Sequence, residues 1–532
     1  MANSHETSSE SRTPLRRLAA KGLLLILPLL IVSSCMVGPN YQTPKASVQS
    51  HYLERSSKDE KPLNIADVYW WKSFDDPTLN GLIEMAYTNN LSLQVAGVRV
   101  LQARAQLNQA IGNLFPQQQG LSAGVDYTKL GTPGLTFNPS GLTSDYTMDQ
   151  VLFSASWEID FWGKYRRTIE SDRATFLSTL ASYDDALVTL IADVASSYVT
   201  IRTTEERIRV AIRNLETQKE SYRVADVQFK FGEASELDVR QAETLRAQTE
   251  AQIPRLQNTL NQTKYSLAVL LGVTPAEVEQ YLVGTNGIPV APAEIALGIP
   301  RDLLRRRPDV RAAGLAAASQ NALIGVARAN MYPAFSLSGA FGFTSNNEGQ
   351  NSLGDMFMWQ SKAAQAGASM VWPIFNYGRL VNQVRVQDAA FQQAILNYQN
   401  TVLTAQQEVE NGLSAFYTEQ QALTNLVTAA NAARRSTVLS LIRYKSGETD
   451  YTTVLTTEQS QLSVEDAVAS SQGNVIQGLI SIYRALGGGW ELRETGDIVS
   501  AEVKAEMARR TNWGKMLEAQ NHLPMNSPES SP

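Results

Sequence analysis

The residues able to do chemistry are few, and their spacing does not assemble a reaction centre. His5, His51 and His522 are the only histidines, all in polar sequence, and none has a second histidine at i+3 or i+4. The spacing of a zinc site is therefore missing, and all three are read as solvated. A single cysteine, Cys35, excludes a disulfide framework or a cysteine-based metal site within the chain. Glu158 and Asp160 are the nearest thing to an acid/base pair. As i and i+2 on a strand they share a face, and they are read as groups lining a lumen or its mouth. Arg305-Arg306-Arg307 stands before Pro308 with Asp302 and Asp309 beside it, the pattern of a solvated cluster at a helix start. No nucleophile motif, phosphate loop or metal spacing appears, so no enzyme activity and no cofactor are expected.

The one covalent step the pattern predicts is at Cys35. Arg12, Arg16, Arg17 and Lys21 precede the apolar run Gly22–Val32. Basic then apolar is the layout of a secretory signal, and about 11 apolar residues are too few for a span that needs about 20. Val32-Ser33-Ser34-Cys35 follows directly and resembles a bacterial lipobox. The expected result is a cleaved signal, residues 1–34, and a covalent lipid on Cys35; a plain signal peptide with an incidental cysteine is the alternative. More than one acyl chain on Cys35 would anchor the protein stably. Met36, not Asp, follows the cysteine, which resembles the pattern of an outer-membrane destination.

What surrounds these residues is length. The chain has 532 residues, 43% of them hydrophobic, and a formal charge of −6, which gives no case for nucleic-acid binding. From Lys164 to Phe229 there is no proline and one hydrophobic residue every seven: Leu180, Leu187, Val194, Ile201, Ile208, Leu215, Tyr222, Phe229. This predicts a coiled-coil-like helix of roughly 100 Å. A second seam, Phe176, Tyr183, Leu190, Ser197, Thr204, Ala211, turns polar partway along. The chain then repeats itself. Trp157–Lys164 lines up with Trp372–Arg379, and at the same offset Leu180 meets Ile395, Tyr183 meets Tyr398, Val194 meets Val409 and Gly232 meets Gly447. Upstream, Phe115-Pro116 meets Tyr332-Pro333.

Each half reads helix, two strands, long helix, short helix. The expected helices are Leu79–Asn113, Lys164–Phe229 and Glu236–Leu271, then Pro308–Asn330, Arg379–Tyr444 and Tyr451–Leu486. The expected strands are 117–128, 149–160, 334–345 and 366–376, with Lys129–Met148 and Asn346–Lys362 as exposed tips. Along the strands, apolar residues such as Leu121, Val125, Phe153 and Phe341 alternate with small polar ones. Trp157, Trp162, Trp372 and Tyr377 cluster where the outgoing strands end, like an aromatic girdle. The pattern predicts a membrane β-barrel. Four strands cannot close one, and open edges in lipid are forbidden, so the chain must oligomerise. Three copies, giving twelve strands, satisfy the count without being required by it.

This pattern resembles the TolC-type outer membrane factors, in the lipoprotein branch that serves RND efflux systems. The likeness covers nearly all of the mature chain. It is carried most specifically by Cys35–Pro44, Trp70-Trp71-Lys72-Ser73-Phe74, Ile299–Arg311 and the tip motifs Phe229–Thr244 and Tyr444–Gln459. The resemblance implies a mainly α fold with a membrane β part, built from a duplicated helix–strand–strand–long helix–helix unit. It implies a homotrimeric twelve-stranded outer-membrane barrel continuous with a periplasmic α-helical barrel. The segments 35–78, 273–302 and 488–532 then form a collar outside the repeats 79–272 and 303–487, and Asn521–Pro532 is read as a disordered tail. It further implies a periplasmic adaptor and an inner-membrane RND transporter as partners, and drugs or other small toxic compounds as cargo. The gate would lie at the helical tips: Phe231, Gly232, Ser235, Leu237 and Asp238 in the first half, Arg443, Tyr444, Gly447, Asp450, Tyr451, Thr452 and Thr456 in the second. Ordinary capping applies to Gly232, Ser235 and Gly447. Arg443, Tyr444 and Asp450 would hold the pore shut through ion pairs and hydrogen bonds. Relatives place an apolar residue and an aspartate where this chain has Thr452 and Thr456, so an anionic role falls to Asp450 or Glu458. The other readings are an exit duct for type I protein secretion, a periplasmic coiled-coil adaptor lipoprotein, and a lipoprotein enzyme.

Overall fold

The computed structural model describes residues 36–49, 51–53, 65–129, 145–282, 287–290, 306–346 and 355–518. Cys35 with its signal, residues 130–144 and 347–354 of the two expected loop tips, Arg305 and the tail after residue 518 lie outside the described residues. The helices are α1 (Pro77–Asn89), α2 (Leu91–Gly112), α3 (Lys164–Lys230), α4 (Glu236–Leu271), α5 (Val278–Tyr281), α6 (Pro308–Ala329), α7 (Arg379–Lys445), α8 (Tyr451–Ala485) and α9 (Ala501–Arg510). The strands are β1 (Gln118–Lys129), β2 (Asp145–Ile159), β3 (Ala334–Asn346) and β4 (Lys362–Val371). Two compact units divide the chain: Met1–Thr43, Arg104–Thr175 and Ala317–Ala394 form one, and Pro44–Ala103, Phe176–Ala316 and Ile395–Pro532 the other.

The first unit holds an antiparallel sheet in the order β1-β2-β3-β4. Its register lines the apolar residues into rows on one face: Leu121, Phe153, Phe341 and Ala364 in one row, Ile159, Phe335 and Met370 in another. The other face carries Gln118, Ser156, Ser338 and Gly367, then Gly120, Ser154, Ala340 and Gln365. The apolar face is open, with Leu121 and Val125 each 74% exposed. A soluble sheet would cover such a face; lipid covers it in a membrane barrel. Both outer strands, β1 and β4, lie exposed along their length.

The fourth strand differs from its expected range of 366–376. It starts at Lys362 and stops at Val371, because Pro373 has no N–H to extend the ladder. Trp372 and Tyr377 therefore stand beyond the strand. Met36–Asn40 is clamped within this unit. The Val37 N–H donates to the Trp162 carbonyl at 3.1 Å, and buried Arg167 donates to the Val37 carbonyl at 3.2 Å and to Asn40 Oδ1 at 2.9 Å. Gly38 has φ +101°, and a Cβ there would meet the Gly325 Cα at 2.5 Å, so only glycine serves.

In the second unit the long helices bury their seams. Leu180, Leu187, Val194, Ile201 and Leu215 of α3 are buried, and so are Val402, Val409 and Phe416 of α7. Near the end of α3 burial passes to Val224 and Ala225, and Phe229 is left exposed. A helix of 3.6 residues per turn drifts off a seven-residue repeat, which is why the seam shifts. The opening helix expected over Leu79–Asn113 is two helices. Asn90 leaves helical geometry (φ −62°, ψ 117°) between α1 and α2. Its side chain does two jobs while buried: Oδ1 accepts the Leu93 N–H at 2.8 Å, and Nδ2 donates to the Leu270 carbonyl at the end of α4 at 2.9 Å. The second half makes the same end-to-end join without the extra helix. There Arg307, just before α6, donates to the Ala485 carbonyl at the end of α8 at 2.8 Å. Asn90→Ala should cost about 1–2 kcal/mol in a denaturant melt of the solubilised protein, since a cap and a buried carbonyl partner go together; Asn90→Ser should recover part of it.

Candidate functional site

Both tips use one turn chemistry. Gly232 and Gly447 take φ of +81° and +75° in open space, so left-handed backbone rather than crowding selects glycine. The Glu233 N–H donates to the Gln228 carbonyl and the Glu448 N–H to the Arg443 carbonyl, each at 2.8 Å, closing the ends of α3 and α7. Ser235 and Asp238 form a reciprocal capping box at the start of α4. Asp450 caps α8 by accepting from the Thr453 N–H at 3.2 Å and its hydroxyl at 2.8 Å. Phe231 and Leu237 point into solvent.

The residues singled out as a lock do not meet one another within one chain. Arg443 reaches Glu448 of its own turn at 3.4 Å, with both side chains exposed. Asp450 is committed to its helix start. Tyr444 is buried edge-on against Tyr451, with ring centroids 5.3 Å apart, in a cluster with Val224, Ala225, Val239, Ala242 and Val454. That cluster joins the α3–α4 tip to the α7–α8 tip. Two polar links cross the same join: Gln228 donates to the Tyr444 carbonyl at 3.3 Å, and Lys445 pairs with Glu220 at 3.3 Å. The Tyr444 hydroxyl is buried without a hydrogen-bond partner, and burial pushes its pKa up to about 12. Burial drives Tyr451 further in the same direction. Thr452 and Thr456 are exposed one turn apart, and Thr456 donates to the Thr452 carbonyl at 3.0 Å.

Glu458 corrects an expectation. It is 2% exposed and turned into the seam between α3 and α8, so it does not line an opening. The Ser221 hydroxyl donates to its Oε1, while Oε2 is buried without a partner. Gln218, one turn along α3, has both amide atoms buried and unpartnered. One heptad further on, Glu465 is paired with Arg434 and accepts from Asn214 at 2.7 Å. Thus two acids occupy equivalent seam positions, and only one has a cation. Burial pushes the Glu458 carboxyl up to about 7, against a smaller opposing effect of the Ser221 hydrogen bond. Tyr451, Val454, Glu458, Gln461 and Glu465 step by three and four along α8. That spacing is a buried stripe, and a glutamate within it was the available signal.

Glu158 lies on the polar face of the sheet, opposite Ser336. Asp160 accepts the Tyr165 and Arg166 N–H groups at 3.0 Å each, and Glu158 pairs with Lys164 at 3.0 Å, so both anchor the start of α3. Arg307, expected to be solvated, is buried between Asp309 at 2.8 Å and Glu408 at 2.7 Å. Of the girdle residues, Trp157 donates its indole N–H to the Leu114 carbonyl at 3.1 Å, Trp372 to Met331 at 3.2 Å and Trp162 to Pro333 at 2.8 Å. Tyr377 is fully exposed. Among the described residues no group of three or more His, Cys, Asp or Glu is placed to hold a metal ion.

Comparison with known proteins places this geometry. A family model described as outer membrane efflux protein matches residues 82–273 and 299–488. Nodulation protein T of Rhizobium leguminosarum bv. viciae is 32% identical over 493 residues, covering 91% of this chain and 98% of that one. The toluene efflux pump outer membrane protein TtgC of Pseudomonas putida is 30% identical over 478 residues, covering 88% and 95%. Among solved structures, the outer-membrane channel OprN superposes with a TM-score of 0.80 at 34% identity, over 86% of this chain and all of that one.

Proposed function

Because the chain belongs to the outer membrane efflux protein family, we propose that it is the outer-membrane exit duct of a tripartite efflux pump. It acts as a passive channel, and no chemical step is asked of it. The observation that carries this reading is the four-stranded sheet with one apolar face, one polar face and two exposed edge strands. Such a sheet is stable in lipid only as part of a closed ring. Three copies supply twelve strands, and the polar face becomes the wall of a wet lumen. After β2 and β4 the chain enters helices of 67 residues each, roughly 100 Å long, a length suited to crossing the periplasm. Cys35 carries the lipid, and the clamp on Met36–Asn40 holds the segment next to it. The segments 35–78, 273–302 and 488–532 form the collar. The partners are a periplasmic adaptor and an RND transporter, and the cargo is of the small toxic kind named for TtgC.

The gate is assigned to the tips: Phe231, Gly232, Leu237 and Asp238 with Arg443, Tyr444, Gly447, Asp450, Tyr451, Thr452 and Thr456. The buried Tyr444–Tyr451 cluster holds each protomer's two tips together, and the exposed Arg443, Thr452 and Thr456 are free to face other copies. The protein should fractionate with the outer membrane as a heat-modifiable, detergent-dependent trimer; a soluble monomer overturns the reading. Arg443→Glu reverses the charge that the tip presents to other copies and, for an exposed interaction of about 0.2–1 kcal/mol, should raise the open population about two- to fivefold in planar bilayers. Unchanged conductance would remove Arg443 from the gate.

A further inference from the structure

The duplicated halves repeat one indole hydrogen bond at the base of the sheet, while a forward contact made by Trp162 has no counterpart within one chain. Each outgoing strand is served by a tryptophan, Trp157 within β2 and Trp372 just after β4, that reaches back to the chain entering the preceding strand. Trp157 donates to Leu114 before β1, and Trp372 donates to Met331 before β3. The second aromatic of each half reaches forward. Trp162, just after β2, stacks on Tyr332 with centroids 4.6 Å apart and rings 25° from parallel, and its N–H donates to the Pro333 carbonyl at 2.8 Å. Tyr332-Pro333 leads into β3, the next strand of the sheet. Tyr377 is the counterpart of Trp162, and Phe115-Pro116 the counterpart of Tyr332-Pro333. Within one chain the forward contact of Tyr377 is not made. Tyr377 is fully exposed, Phe115 is 62% exposed, and among the described residues neither ring has an aromatic partner.

We propose that Tyr377 of one copy clasps Phe115-Pro116 of the next copy, stacking on the Phe115 ring and donating its hydroxyl proton to the Pro116 carbonyl. The clasp rests on the ring of copies argued above and fixes which residues close it. In a ring the strand after β4 is β1 of the neighbour, and Phe115-Pro116 leads into β1 as Tyr332-Pro333 leads into β3. The backbone supports this use. Tyr377 holds φ +48°, a conformation that costs a non-glycine residue energy. Faces agree as well. The β2–β3 register sets Trp157 opposite Leu337 and Phe153 opposite Phe341. Carried to the open edges, it sets Trp372 opposite Leu121 and Ala368 opposite Val125 of the neighbour, and all four belong to the apolar face. Three symmetric clasps would form a belt at the foot of the barrel, each joining two copies.

The test is oxidative cross-linking of the full-length protein in isolated outer membranes. Phe115→Cys with Tyr377→Cys should give covalent dimers and trimers on a non-reducing gel, and each single variant should give none. A second pair, Ala123→Cys with Met370→Cys, reports the β1–β4 edge alone. Linkage of the edge pair without the clasp pair overturns the clasp while leaving the ring standing; linkage of neither pair overturns both. Tyr377→Ala should speed trimer dissociation in detergent about fivefold for each stacked ring pair it removes. Tyr377→Phe should fall between it and the native protein, and Tyr377→Trp, which copies Trp162, should restore the native rate. Equal dissociation rates for Tyr377→Ala and the native protein also overturn the clasp.

Discussion

Glu458→Gln is expected to abolish a pH dependence of the tips that the native protein shows. The carboxyl pKa is raised to about 7 by burial, above the ordinary glutamate value of about 4.3. Its neutral form therefore suits the packed seam. The packing contributed by that form is complete below the ordinary value and is lost as pH rises through about 7. Native tips should be tightly packed at pH 6 and loosened at pH 8. Above the transition the cost of holding the ionised group in place is on the order of 3 kcal/mol. The neighbours do not relieve it. From α3 it meets the uncharged Ser221, and Gln218 one turn away on that helix is uncharged as well; Tyr451 lies on its own helix, and Tyr444 and Asp238 act on Tyr451. Among the described residues no salt bridge reaches Glu458. Glutamine keeps the shape and the neutral state. Hydrogen exchange of the 451–465 segment, corrected for intrinsic rates, should quicken between pH 6 and pH 8 in the native protein and stay flat in Glu458→Gln. A matching profile in both proteins removes Glu458 as the titrating group.

Arg307→Ala should be the most damaging single change in the second unit, at about 3–5 kcal/mol. The guanidinium is buried and holds three partners at once: the carboxylates of Asp309 and Glu408 and the carbonyl of Ala485. Truncation leaves two carboxylates facing each other and bares the end of α8. Arg307→Lys should lose most of the same stability, because one ammonium cannot reproduce the planar fork. A denaturant midpoint for the solubilised protein checks both, with trimer yield from the outer membrane as the cellular readout. A midpoint within error of the native value for Arg307→Ala would show that the join of α6 with α8 does not depend on this residue.

What can be read in the sequence is whatever repeats with a period. The seam Leu180–Leu215, the strand alternation around Phe153 and Phe341, and the two tip glycines follow from spacing, since helix and strand impose fixed periods on their buried faces. The departures come from single residues whose partners are remote in the chain. Asn90 breaks a helix without proline or glycine because its amide finds Leu270, 180 positions away. Arg307 reads as a surface charge until Glu408 and Ala485 arrive beside it. Glu458 looks like one more polar helix residue; its burial depends on the α3 face that meets it. The fourth strand departs from its expected range for a local reason, since Trp372 and Ile374 continue the alternation past the point where Pro373 ends the ladder.

The central claim is that three copies of this four-stranded sheet close into one water-filled bore. Electron cryomicroscopy of the oligomer extracted from outer membranes into nanodiscs tests it most directly. The account predicts threefold symmetry and a closed ring of twelve strands in which β4 pairs with β1 of the next copy, with an open lumen lined by Gln118, Ser154, Ser338 and Gln365. A different strand number, an edge strand covered by another part of its own chain, or a lumen filled by side chains would contradict it.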